Sequence, residues 1–294
     1  MMSTKRMDAA SLARLSLHDP NNFSIQYSQT LHRLTLLQHW NIPAGSEVLE
    51  IGCGQGDCTV VIADAVGERG RVVGIDPAPL DYGSPFTLAQ SQNHISHGTL
   101  GHRITWMQRE PLSYLSSLPV PTTHTLTFDA TVLAHSLWYF SSPSVILSTF
   151  RALKQHSTRL CLAEWSLSAS DPAAQPHVLA ALAQAALECR KSISVSNVRT
   201  VLSPKRLKDL AEEAGWKLES EKKVQPNKGV LDGQWEVAAC LGKRFEREVE
   251  ECVADERERG VVKALKDTCA ASLEVVDGGK EGVRSMDVWV GTFV

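Results

Sequence analysis

Apolar residues recur along this chain with two periods that take turns. Val48, Leu49 and Ile51 make Glu47 to Ile51 a short apolar strand that runs directly into Gly52-Cys53-Gly54-Gln55-Gly56. Helical spacing follows from about Cys58 to Val66 and stops at Gly67; Arg71 to Ile75 is again a strand, closed by Asp76-Pro77. The alternation continues: helix over Thr87 to His97, strand over Ile104 to Gln108, an apolar β-rich run from Thr125 to Ala134. A helix over Val145 to Lys154 and a buried strand over Arg159 to Glu164 complete this pattern. Strands that alternate with helices build a parallel sheet covered on both faces, so the expected class is α/β, doubly wound.

The flanks are helical. Ile25 to Trp40 reads as an amphipathic helix with Tyr27, Leu31 and Leu34 on its apolar face. Pro176 to Lys191 is alanine-rich. Ser203-Pro204 starts a helix in the N-cap and first-turn positions, and Gly215 stops it. Trp216 to Val224 and Met286 to Val294 read as strands, and Lys243 to Ala270 as a charged helix broken near Gly260. One domain over 1–294 is expected: an N-terminal helical cap (1–40), a nucleotide-binding half (41–165), and helical additions at 166–202 and 226–284 roofing a pocket.

Charge and cysteine usage narrow the class. The net charge of −3 shows no basic stripe, so neither nucleic acid nor an anionic membrane is an expected partner. The seven cysteines are odd in number and form no C-x-x-C pair, which speaks against a disulfide framework or a structural zinc site. No run approaches the ~20 apolar residues of a membrane helix. Residues 1–10 are polar, without a secretory signal, so the expected location is cytoplasmic. The mixed charges from Arg244 to Arg259 are either a solvated helix face or the surface of a homodimer.

A strand, a glycine turn and a helix together form a nucleotide-binding unit. Gly52, Gly54 and Gly56 give G-x-G-x-G; Asp57 stands where the dinucleotide fingerprint has its third glycine, and no P-loop Gly-Lys-Ser/Thr follows. A loop framed by Glu50 and Asp57 repels phosphate and suits a cationic ligand. Asp76, 24 residues after Gly52, is placed to accept ribose hydroxyls.

On these residues the chain resembles the class I S-adenosylmethionine (SAM)-dependent methyltransferases. Val-Leu-Glu-Ile-Gly-Cys-Gly-Gln-Gly-Asp (48–57) resembles the first motif of that family, and Val-Val-Gly-Ile-Asp (72–76) the second. Ile-Thr-Trp-Met-Gln-Arg-Glu (104–110) is similar to the third strand, and 128–140 to the fourth strand and its following loop. The resemblance implies a Rossmann-like, seven-stranded sheet with the last strand antiparallel. It also implies SAM held by Glu50, Gly52, Cys53, Gly54, Gly56, Asp57, Asp76, Pro77, His135 and, at the adenine, Glu110. No metal is expected. Two departures stand out: the proline-rich segment 77–85 after Asp76, and Arg109 where a small residue is common.

In such a sheet the ligand lies at the carboxyl ends of the strands. His135, Tyr139 and Glu164 are therefore the expected catalytic residues, with His135 as general base or, alternatively, as a hydrogen-bonding partner of the methionine end of SAM. Tyr27, Trp138, Tyr139, Trp165 and Trp235 are expected to contact substrate, with core packing the alternative for each. His32 could close over the donor. The expected function, of the small-molecule type known in fungal secondary metabolism, is methyl transfer to oxygen or nitrogen of a small organic molecule. A SAM-binding scaffold for a cyclisation or pericyclic reaction, a protein methyltransferase and a non-catalytic SAM-binding partner are the alternatives.

Overall fold

A computed structural model describes residues 6–119, 127–194 and 196–294. Seven strands form one sheet: β1 (Glu47–Ile51), β2 (Arg71–Asp76), β3 (Ile104–Gln108), β4 (Ala130–Ala134), β5 (Leu160–Trp165), β6 (Leu218–Val224) and β7 (Val288–Phe293). Their spatial order is β3-β2-β1-β4-β5-β7-β6. The first five run parallel, and β7 is antiparallel to both β5 and β6. The order reverses between β1 and β4, so the crevice lies beyond Ile51 and Ala134. The fifth strand of the sequence reading extends one residue further, to Trp165, and the expected run from Thr125 begins outside the described residues.

Successive strand residues go to opposite faces, which separates two cores. Val48, Val132, Cys161 and Val288 face one side. There they meet α1 (Ala9–Ala13), α2 (Phe23–Trp40), α3 (Asp57–Val66) and α4 (Leu88–Ser96). Leu49, Leu133, Leu160 and Trp289 face the other side, against α5 (Pro111–Ser117), α6 (Pro143–His156) and α8 (Pro204–Glu213). A third apolar cluster joins α7 (Gln175–Glu188), α9 (Asp232–Cys240), α10 (Lys243–Cys252) and α11 (Glu256–Ser272) outside the sheet.

Three sequence expectations need correction. The charged helix does not break at Gly260, which lies inside α11; it breaks at Val253 to Asp255. The reason is local: Asp255 caps α11 by accepting the Glu258 N–H, and Val253 is buried. α9 lies in the helical addition expected over 226–284, but its bounds were not expected, because it carries only Gly233, Val237 and Cys240 on its buried side. The third correction concerns α2. Its buried side holds Gln29, Thr30, His32, Leu36, Leu37 and Trp40, whereas Tyr27 is exposed and Leu31 and Leu34 are half-buried. The apolar part, Leu36 to Trp40, docks on the core, and the polar part is turned inward above the sheet.

Trp40 anchors that arrangement. It is fully buried, and its indole N–H donates to Leu162 O of β5 at 3.3 Å. Trp40→Ala is expected to cost about 3–5 kcal/mol in chemical denaturation, the usual cost of truncating a buried aromatic.

Candidate active site

The glycine loop is shaped by its own backbone. Gly52, Gly54 and Gly56 all have positive φ, at 76°, 51° and 97°. Gly52 also has no room: an added Cβ would lie 2.4 Å from Ser136 Cβ, on the turn after β4. Gly54 is different, because a Cβ there would meet nothing within 4 Å. The crest of the loop thus faces open space. Gly52 N and Cys53 N donate to Ile75 O, which ties the loop to β2.

Asp76 ends β2 beside this crest. One carboxylate oxygen accepts the Gly54 N–H and the other the Ala78 N–H, each at 2.9 Å. Each oxygen keeps a second lone pair, so a vicinal diol can still be accepted. Gln92 of α4 donates to Gly54 O at 2.9 Å. Cys53 is buried behind the loop. Glu50 shares its face of β1 with Val48 and so lies beneath α3, accepting the Thr59 hydroxyl; burial pushes its carboxyl up to about 7. Pro77 and Glu110 are exposed, and Glu110 stands just beyond β3 as the N-cap of α5. Open space at Gly54, spare lone pairs on Asp76 and acids in place of lysine fit SAM, which carries a diol and a sulfonium but no phosphate.

Beyond β4 the chain turns sharply at His135, whose φ is +55°. Non-glycine residues seldom adopt that conformation, and where they do the surroundings hold it. Here His135 N–H donates to Ala163 O at 2.8 Å. Its ring Nε2 lies 3.0 Å from Nε2 of His32, one ring donating and the other accepting. Its Nδ1 has no hydrogen bond and faces Glu164 Oε1 at 3.7 Å. Trp165 packs on His135 with ring centroids 4.4 Å apart and stacks parallel to His32 at 6.5 Å. Trp165 also makes a T-shaped contact with His177, which is buried with its Nδ1 accepting the Met286 N–H.

Burial decides the charges in this cluster. Desolvation holds the His32 and His135 rings well below the usual imidazole value, and the Arg33 guanidinium lowers both further. His135 is therefore a neutral ring, against the ordinary imidazole value of about 6.5 expected from sequence. Glu164, 1% exposed, is pushed up to about 7 by burial, although it accepts the backbone N–H groups of Trp165 and Leu137, each at 3.0 Å. The ionisable proton of the cluster thus sits on Glu164 before it sits on either imidazole.

The inward side of α2 meets the other walls of the cleft at a spacing of three residues. Gln26 donates to Asp57 at the loop, Gln29 to Asp232 of α9, and His32 meets His135. Gln26 and Gln29 were missed in the sequence reading. Their spacing to His32 was a usable signal, being one helical stripe. Asp232 was not singled out, although it lies in the helical addition expected over 226–284, three residues before Trp235. Trp138 and Trp165 are buried, Trp138 with its indole N–H unpartnered. Tyr139 and Trp235 are half exposed and Tyr27 somewhat less. Tyr139 lies among Tyr82, Glu236, Glu164 and Asp232, which with burial hold its phenol protonated.

Two substitutions probe the loop. Gly54→Leu fills the open space at the crest and is expected to abolish binding of S-adenosylhomocysteine (SAH) while the thermal transition persists. Asp76→Ala removes the diol acceptor and is expected to weaken SAH about 10–100-fold by calorimetry.

Comparison with known proteins agrees with the geometry. A family model described as a methyltransferase domain matches residues 24–221. Methyltransferase phomM' of Diaporthe leptostromiformis is 30% identical over 281 residues, covering 84% of this chain and 73% of that protein. A crystal structure of a cyclopropane-fatty-acyl-phospholipid synthase-like protein from Lactobacillus casei is 31% identical. It superposes with a TM-score of 0.82 over 97% of this chain and 98% of the other. The [4+2]-cyclase SpnF shares the fold, with a TM-score of 0.52 at 15% identity, covering 90% of this chain and 80% of that one. With its glycine loop, its spaced aspartate and these relatives, the chain belongs to the class I SAM-dependent methyltransferases.

Proposed function

We propose that the protein methylates an oxygen or nitrogen of a small organic acceptor, using the His32–His135–Glu164 cluster to take up the acceptor's proton. The 3.0 Å contact between two buried neutral imidazoles, at the switch point of the sheet, carries this reading. SAM held at the glycine loop supplies a methyl group on a good leaving group. The remaining tasks are to align the nucleophile, remove its proton and exclude water.

The helices outside the sheet serve the exclusion. In this reading the described residues of 1–40, 166–202 and 226–284 form the roof, with α2 laid across the strand ends. Tyr27, Trp138, Tyr139, Trp165 and Trp235 form or back the acceptor wall. His135 and His32, each neutral, can accept a proton. Glu164 in its ionised form receives that proton through the imidazole beside it, and its backbone partners fix its orientation. Arg33, near both rings and Glu164, opposes an imidazolium, so the proton comes to rest on Glu164 and not on a ring.

A second reading takes the Lactobacillus relative as the guide and places a carbon–carbon double bond in front of the methyl donor. The polar inner side of α2 and the acids around Tyr139 speak for a polar acceptor instead.

The pH profile tests the assignment. Glu164 is protonated below about 7 and cannot receive the acceptor's proton there. Methyl transfer at saturating SAM is expected to rise roughly tenfold per pH unit below that value, then level off. Glu164→Gln is expected to remove this step and lower kcat by about 10²–10⁴-fold. An unchanged profile in Glu164→Gln would contradict the role.

A further inference from the structure

The first turns of α9 hold two carboxylates that the proton cluster does not use. Asp232 and Glu236 stand four residues apart, on one side of the helix. Asp232 accepts from Gln29 Nε2 at 2.9 Å, and Glu236 from Gln184 Nε2 at 2.6 Å. Both partners are neutral amides. Neither carboxylate forms an ion pair with any lysine or arginine among the described residues. Among the described residues, Arg33 is the cation that acts on Asp232 most strongly, and the main influences on Glu236 are burial, Gln184 and Asp232. Burial pushes both carboxyls up, and the charge of Asp232 pushes Glu236 further. Groups in that state are stabilised by a positive partner.

A second feature points the same way. The amide oxygen of Gln29 is buried and has no hydrogen-bond partner, while the nitrogen of the same amide is bound to Asp232. The residue is 9% exposed. An acceptor left unmatched beside an unpaired carboxylate calls for a group that donates several hydrogen bonds and carries positive charge. Tyr139, half exposed, lies within the electrostatic reach of both carboxylates. Aromatic faces next to carboxylates attract organic cations.

We propose that Asp232, Glu236 and the Gln29 amide oxygen bind the protonated nitrogen of an amine acceptor, so that this enzyme methylates nitrogen. The inference rests on the methyl-transfer reading above and narrows it. The ammonium gives one proton, through the imidazole pair, to ionised Glu164. The freed nitrogen lone pair forms the new carbon–nitrogen bond as the carbon–sulfur bond breaks. The electrons of that bond leave on sulfur with SAH, and the product is the protonated methylamine.

The test uses the full chain saturated with SAH and a matched pair of probes, tryptamine and tryptophol, which differ in an ammonium against a hydroxyl. Tryptamine is expected to bind about tenfold more tightly or better at pH 7, the scale of a charge-assisted hydrogen bond. Asp232→Asn with Glu236→Gln is expected to erase that preference while SAH affinity stays within about twofold, which also reports that the variant is folded. Equal binding of the two probes, binding of neither, or a preference that survives both substitutions would overturn the proposal. Weaker SAH binding with an unchanged amine preference would assign the carboxylates to the cofactor's own ammonium and overturn it as well. A methyl transfer assay with SAM separates the two readings. Methylation of tryptophol oxygen would sink the amine inference and leave methyl transfer standing, whereas tight amine binding without SAH release would contradict methyl transfer, and nitrogen methylation with it, and leave only an amine-binding site.

Discussion

The candidate active site depends on one contact, the 3.0 Å approach of His32 to His135. It joins a helix near the start of the chain to the turn after the central strand. That turn needs a left-handed residue at His135, and the contact helps to hold it there. The same helix meets Asp57 through Gln26 and Asp232 through Gln29. Trp40, buried on β5, fixes the far end of α2 and so sets the height of these three contacts above the sheet. Removing water from this space is what makes both rings neutral.

Electrostatics then follows from burial. Glu50 and Glu164 are each pushed up to about 7, well above an exposed glutamate, because their charge is taken out of water. The displacement is worth about 3 kcal/mol for each group. Asp232 and Glu236 are raised for the same reason. A cleft of underpaired acids suits positive ligands: a sulfonium at the glycine loop and, on the proposed reading, an ammonium at α9. It also explains why Asp57 can stand in place of the third dinucleotide glycine. Where no phosphate is bound, its carboxylate is free to receive Gln26 instead.

The sheet was legible because its signals are local. Val48 to Ile51 followed by three alternating glycines has one structural use, and Asp76 at the end of the next strand follows from the same unit. Each needs only its own neighbours to be read. The inward side of α2 was hidden because Gln29, Thr30 and His32 are polar residues buried by tertiary contacts, against the ordinary polarity rule. Tyr27, Leu31 and Leu34 looked like the buried face, while Leu36, Leu37 and Trp40 form it. His135 could be located at the end of β4, but its neutral state could not be read. That state depends on His32, Trp165 and Arg33, which come from distant parts of the sequence. Asp232 was hidden for a third reason: α9 is short and has a sparse apolar side.

Nitrogen-15 NMR of the histidine rings between pH 8 and pH 5 tests this account most directly. His32 and His135 are expected to stay neutral across the range, with one Nε2 protonated and the other accepting, because burial keeps their protonation well below the ordinary value. If either ring instead takes up a proton with a midpoint near 6.5, the value of a solvated imidazole, α2 does not close over the cleft and the central contact is absent.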